Sequence, residues 1–404
     1  MFIAIAIVFV VGINFLNVRS YGEVKFWVSG IQIIFLIGLI FLSLILASGG
    51  GPDHSATGFQ YWNNPGAFHE YLVTGSTGRF LAVYSTFSAS ILIFSGTELV
   101  GFTVGETANP RKAIPRAIKL IFSLFIGFYV ILVLLMGLIV PYTAKPLALG
   151  TSPFMIAIQN SGIKALPSIF NACLVLCALS SASSNLYVSS RILYGLCLAG
   201  MAPKHFYRTD TRGVPIFALG LCTLYSLMAF LNLEGSLSSL FSYFGNFLNY
   251  IGLLTWISIL FTHICFVRAR RAQNIPDTAL VYTAPLGIWG SIGAMCFTII
   301  VALFIGFAQF FYKSTAASGT TPKFDIPTFV TMYAAIPIFA VVFLAYKFIA
   351  KVHMVKPEEA DLYSGKEQID TEEEEFVARE QARREGTAET RIEKIYRITT
   401  GRFL

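Results

Sequence analysis

Residues 80–104 read FLAVYSTFSASILIFSGTELVGFTV. A helix needs about 20 apolar residues to cross the hydrocarbon of a bilayer, and this run is long enough. Two features separate it from a plain anchor. Gly96 and Gly101 weaken a helix in its middle. Glu98 puts an ionisable group well inside an apolar run. Such a group is expensive in lipid and marks a substrate or proton path, or else pairs with a neighbouring helix for packing alone. A helix interrupted at mid-membrane leaves N–H and C=O groups free, and those groups suit the charged ends of a zwitterion.

Working outward, the same apolar texture covers most of the chain. Of its 404 residues 55% are hydrophobic and 13% charged, with a mean hydropathy of +0.68. That charge is about half the usual share for a soluble domain, so lipid must be the solvent for much of the surface. About nine runs are long enough to cross: 1–18, 26–46, 80–104, 118–140, 166–200, 214–231, 237–266, 286–311 and 328–350. The expected fold class is therefore an all-α polytopic membrane protein, with a membrane domain over 1–350 and a tail over 351–404.

The net charge of +7 does not point to nucleic acid, because the basic residues sit in short clusters between apolar runs. Arg19 and Lys25, then Arg111, Lys112, Arg116 and Lys119, then Lys204, Arg208 and Arg212, then Arg268, Arg270 and Arg271, then Lys351 and Lys356 fall after alternate runs. The loops between them are poor in Lys and Arg. Positive charge stays cytosolic, which places the C-terminus in the cytosol. The first run must then begin outside, yet it starts at Met1 without flanking residues or a signal-peptide pattern. Spans upstream of this chain are expected.

Other segments are read from their chemistry. The loop 47–78, with Gly49-Gly50-Gly51-Pro52 and Asn63-Asn64-Pro65-Gly66, is an ordered external loop whose Phe59, Tyr61 and Trp62 suit the membrane interface. Gly105 to Pro115, with two prolines and Asn109, reads as an ordered cytosolic turn. The fifth run holds Leu179-Ser180-Ser181-Ala182-Ser183-Ser184-Asn185. Small and hydroxylated residues there serve either close helix packing or a hydroxyl-lined substrate or ion site. Asn246 and Asn249 are equally ambiguous, and His263 reads as an interfacial residue. In the tail, Glu372 to Glu375 precede Arg379, Arg383 and Arg384 at helical spacing. This suggests a solvated short helix or a disordered segment, or a regulatory tail with Lys356, Lys366 and Lys394 as modifiable sites. Cys173, Cys177, Cys197, Cys222, Cys265 and Cys296 all lie in apolar runs with no metal-ligand or disulfide spacing. No metalloprotease, phosphate-loop or nucleophile-elbow signature is present, so no enzyme, cofactor or metal is expected.

Phe94-Ser95-Gly96-Thr97-Glu98-Leu99-Val100-Gly101, with Gly105-Glu106 and Asn109-Pro110-Arg111-Lys112-Ala113-Ile114-Pro115, resembles the sixth helix and following loop of fungal amino-acid permeases of the amino acid–polyamine–organocation superfamily. Ser183-Ser184-Asn185-Leu186-Tyr187, Ser190 to Gly195, Ala202-Pro203-Lys204 and Gly213-Val214-Pro215 are similar to the eighth helix and its loop. Asn17-Val18-Arg19, Tyr21-Gly22-Glu23 and Gly49 to Pro52 flank what resembles the fifth. The resemblance implies a five-plus-five inverted repeat with two further C-terminal spans, of which this chain would hold the fourth to the twelfth. The missing first helix is the one that grips the substrate carboxylate in that family. The resemblance also locates a departure. The family's fifth-helix Lys, thought to replace a sodium ion, is Gln32 here, and Lys25 stands where an acidic residue is common and reads as a surface change. Thr262 to Gln273 and Asp361 to Lys366 are most similar to the acidic-amino-acid branch, with a general or neutral amino-acid permease as the equal alternative.

What the resemblance implies is an amino-acid/proton symporter of the plasma membrane. Its partners would be an amino-acid substrate, protons and the lipid bilayer. Phe94, Ser95, Gly96, Thr97 and Glu98 would form the broken helix against the substrate, with Glu98 as the protonatable group. Ser180, Ser181, Ser184 and Asn185 would line the opposite wall. The rival expectations are a non-transporting nutrient sensor and an inactive truncated permease.

Overall fold

A computed structural model of the chain describes residues 1–386 apart from 52, 53, 55, 95, 103, 105, 106, 108, 149, 234–237, 311–324, 352 and 365. Its α-helices, in chain order, are α1 (Phe2–Asn14), α2 (Val18–Ala47), α3 (Ser76–Phe94), α4 (Leu99–Phe102), α5 (Pro110–Ile139), α6 (Lys145–Ala148), α7 (Pro153–Asn160), α8 (Leu166–Leu198), α9 (Ile216–Ser226), α10 (Ser238–Ala272), α11 (Gly287–Phe304), α12 (Ile326–Tyr333), α13 (Ala335–Ile349) and α14 (Lys366–Gly386). No strand occurs among the described residues. Among the described residues each apolar run is mostly helical. Six helical stretches are long and apolar enough to cross a membrane: Val18–Ala47, Pro110–Ile139, Leu166–Leu198, Leu240–Ala272, Gly287–Phe310 and Ile326–Ile349. Phe2–Asn14 and Ile216–Leu231 are apolar but shorter. On α13 Ala335 is the buried residue, while Val341, Phe348 and Ile349 are 65%, 75% and 83% exposed. A helix apolar all round with so little protein against it belongs in lipid.

Helix boundaries follow local chemistry and correct several expectations. α2 begins at Val18, well before the apolar run, because the Asn17 side chain accepts the Ser20 N–H at 2.9 Å as an N-cap. Lys25 is therefore inside a helix and not in a loop. The expected turn from Gly105 to Pro115 ends early: Pro110 opens α5 and Pro115 lies within it. Proline suits a first helical position, where its missing N–H would be unpaired anyway, and Asn109 accepts Ala113 N at 2.9 Å there. α9 gives way to a 3-10 turn over Leu227–Leu233. The last run is divided at Ala334 into α12 and α13.

The chain forms two compact units, one from Met1–His69 and Leu120–Leu233, the other from Glu70–Lys119 and Glu234–Leu404. In the first, α2, α5, α7 and α8 share Leu39, Leu132, Ile158 and Phe170, and α1, α8 and α9 share Val10, Leu186, Val214 and Leu219. The described residues of the loop 47–78 as far as His69 belong to this unit. Trp62 sets its indole on α5 at Gly137, where an added Cβ would come within 3.1 Å of Nε1. That close approach explains the glycine.

In the second unit Tyr250, Leu253, Ala302 and Ala335 form the core. The fully buried Tyr250 donates its hydroxyl to Ala302 O at 2.6 Å. Tyr333 donates to Leu303 O at 2.9 Å and accepts Gly306 N at 3.1 Å. These tyrosines answer the carbonyls and N–H that the end of α11 leaves unpaired. α3 is tied to α11 by Tyr84, which donates to Ile300 O at 3.2 Å, and by the edge contact of Phe87 with Phe297 at 5.3 Å. His263, expected at an interface, lies 2.7 Å from Ser291 Oγ and joins α10 to α11. Replacing Tyr250 with Phe leaves the Ala302 carbonyl unanswered and should cost about 1–2 kcal/mol; Tyr250→Ala adds a cavity and should cost about 3–5 kcal/mol. Thermal unfolding of the purified chain in detergent reads the order, and equal effects would refute the role of the hydroxyl.

Candidate functional site

The break in α3 falls where the glycine predicts it. α3 ends at Phe94, Ser95 lies outside the described residues, and α4 restarts at Leu99. Gly96 turns the chain with φ +100°. A Cβ there would meet only Leu99 Cδ1, at 3.8 Å. Glycine is required by torsion and not by space. Leu99 N donates back to Gly96 O at 3.1 Å and Gly101 N to Glu98 O at 2.9 Å. The Gly96 N–H, freed by the break, donates to Glu98 Oε2 at 3.0 Å. Glu98 thus closes its own turn. Gly96, Thr97 and Glu98 are all half-buried.

This turn brings together a reversed backbone, a carboxylate and a hydroxyl within consecutive residues. Within it the Gly96 N–H, the Gly96 carbonyl and the Glu98 carbonyl are each paired. Of the motif that follows, Gly105 and Glu106 lie outside the described residues.

The second set of candidates lies in the other compact unit. Ser180 and Ser184 are half-buried on α8, whereas Ser181 and Asn185 are exposed. The helical turn puts the latter pair on a different face from the buried Ser183. The polar seam within this unit is built by residues that the serine run did not single out. Asn14, buried on α1, donates Nδ2 to Val10 O at 2.8 Å and to Ser183 O and Oγ, both at 3.2 Å. Tyr21 donates its hydroxyl to Ser183 O at 3.4 Å and stacks on Tyr187, centroids 4.1 Å apart, with Arg191 over the Tyr187 ring at 3.3 Å.

Lys25 is the main correction. Read as a surface change, it is half-buried, with its ammonium on the Ser180 carbonyl and on Ser180 Oγ, the latter at 3.1 Å. It lies one turn beyond Tyr21 on the same face of α2. Its stem borders a cavity of about 260 Å³ lined by Phe9, Ile13, Val28, Ala172 and Leu176. A lysine with an apolar stem and a charged tip suits that edge. The signal available in the sequence was the Tyr21–Lys25 spacing, which matters only once α2 is known to begin at Val18. Among the described residues no three His, Cys, Asp or Glu side chains gather in a way that could hold a metal.

Two substitutions test this geometry. Gly96→Ala should destabilise the turn by about 1–2 kcal/mol despite the open space, because the penalty is torsional; a neutral effect on unfolding would mean the turn is not fixed at that φ. Lys25→Met keeps the apolar stem and should leave thermal stability unchanged or raised, whereas Lys25→Ala should lower it by widening the cavity. Equal losses would show that the ammonium, not the stem, holds the seam.

The comparisons with known proteins agree with this architecture. The family model described as amino acid permease matches residues 1–358. The dicarboxylic amino acid permease of Saccharomyces cerevisiae is 40% identical over 393 residues, which are 95% of this chain and 63% of that protein. An uncharacterized amino-acid permease of Schizosaccharomyces pombe is 35% identical over 89% of this chain and 68% of its own length. The lysine-specific permease of Saccharomyces cerevisiae is 35% identical over 91% of this chain and 60% of its own length. The chain therefore spans about two thirds or less of these relatives. No solved structure matches it significantly. The chain is an integral membrane protein and belongs to the amino acid permease family.

Proposed function

We propose that the chain forms the larger part of a secondary active transporter that moves amino acids with protons across the plasma membrane. The observation that carries this reading is the break in α3, where Gly96 reverses the backbone and Glu98 answers the freed N–H. A membrane helix is interrupted at such cost only where the interruption is used. The family supplies the class of cargo. The 40% identity to a protein named a dicarboxylic amino acid permease, against 35% to lysine-specific and proline-specific permeases, makes aspartate and glutamate the first substrates to test.

In this reading Gly96, Thr97 and the segment from Phe94 receive the substrate's charged end, and Glu98 takes up the coupled proton. Protonation would loosen the bond to Gly96 N and free the turn to move with the cargo. Ser180, Ser181, Ser184 and Asn185 are assigned to the substrate path on the resemblance alone. The membrane domain covers 1–350, and the tail from 351 is cytosolic, as the basic loops require.

Uptake of labelled aspartate, lysine and proline by cells expressing the whole transporter of which the chain is the larger part tests this proposal. Uptake of one class should rise as external pH falls. Glu98→Gln keeps an oxygen for Gly96 N but cannot titrate. It should lower uptake by roughly tenfold or more and flatten the pH profile, in line with the usual loss of a proton-transfer group. Normal uptake by Glu98→Gln at every pH would refute the coupling role. Saturable binding without uptake would favour a nutrient sensor.

A further inference from the structure

The tail is not a free appendage. Arg111, second residue of α5, donates Nη1 to Glu373 Oε2 at 2.9 Å and Nη2 to Asp370 Oδ1. Its side chain is 29% exposed and that of Glu373 22%. Asp370 and Glu373 are three residues apart and so share one face of α14. One guanidinium fork between two carboxylates is stronger than an ordinary exposed pair, because geometry is fixed and charges are shared. The site on α5 suits acidic partners twice over. Its first turn holds Arg111 and Lys112 and no acidic residue, and a helix N-terminus carries a partial positive charge.

A second anchor lies upstream in the tail. Gln273, just past the end of α10, donates Nε2 to Pro357 O at 3.1 Å and to Ala360 O at 2.7 Å. Between the anchors Asp361 accepts the N–H groups of Tyr363 at 3.0 Å and Ser364 at 2.8 Å. The Ser364 hydroxyl and these two N–H groups hold the Asp361 carboxyl below its usual range. All of these residues belong to one compact unit.

We infer that α14 is a charge-held strap on the segment joining the Gly96 break to α5, so that releasing the tail loosens residues 96–110. Arg111 is next to Pro110 and Asn109, where that segment ends. The other end is set by the turn at Gly96 and Glu98. Between them lies the four-residue α4. The strap holds the α5 end of the segment from outside. Any change that neutralises Arg111, or competes for Asp370 and Glu373, then acts on the broken helix without touching it.

Hydrogen exchange of the purified chain in detergent, read by mass spectrometry, tests this and needs no transport, so its failure is separable from failure of the transporter reading. In Arg111→Ala, and in the tail pair Asp370→Asn with Glu373→Gln, peptides covering 366–386 should exchange roughly fivefold faster or more, as loss of a networked ion pair implies. Peptides covering 96–110 should speed up with them, while those from α10 and α11 stay as in the wild type. Charge reversal, Arg111→Glu with Asp370→Arg and Glu373→Arg, should restore protection in both regions. Because the tail pair leaves α5 intact, it reports even if Arg111→Ala folds poorly. Unchanged exchange in 366–386 overturns the strap, and release of the tail with 96–110 at wild-type rates overturns its hold on the break.

Discussion

In hydrocarbon an unpaired backbone N–H or C=O costs several kcal/mol, and this is the constraint on which the rest of the molecule depends. It dictates helices wherever the chain is apolar, and it makes each interruption an event that needs an answer. At the end of α11 the answer is Tyr250 and Tyr333. At the end of α3 it is Glu98, which turns back onto Gly96 N. The two answers differ in kind. A tyrosine hydroxyl is neutral and permanent at physiological pH, whereas a carboxylate can be neutralised by one proton.

The seam between α2 and α8 obeys the same rule with other residues. Lys25 brings an ammonium to α8 and gives it the Ser180 carbonyl and hydroxyl, while Asn14 and Tyr21 share Ser183. The aliphatic stem of Lys25 lies beside an apolar cavity. Cation and carbonyl offset one another where neither would be tolerated alone. Ser180 and Ser183 thus take part in holding α8 against its neighbours.

Much of this was legible in the sequence. Apolar length and loop charge gave the helices, and Gly96 beside Glu98 gave the break, because glycine torsion and buried charge are properties of single residues. The sequence misled where an outcome depends on where a helix starts. Lys25 looked like a surface residue because the apolar run begins at Phe26, but Asn17 caps α2 about two and a half turns earlier. Pro115 looked like a helix stop because its place relative to Pro110 was not fixed. The Arg111 fork was invisible, since Asp370 and Glu373 are distant in the chain and their acidic stretch reads equally as a solvated face. Asn14 and Ser183 were missed for the same reason: each is unremarkable until the partner is known.

The central claim is that the turn at Gly96–Glu98 receives the charged end of an amino acid. Its direct test is the rate at which a small thiol reagent modifies Thr97→Cys in a chain whose six native cysteines, all free, have been replaced. A saturating amino acid of the transported class should slow that reaction severalfold, with no such effect on a control cysteine placed on the exposed face of α13. A rate indifferent to every amino acid tried would contradict the assignment of this turn.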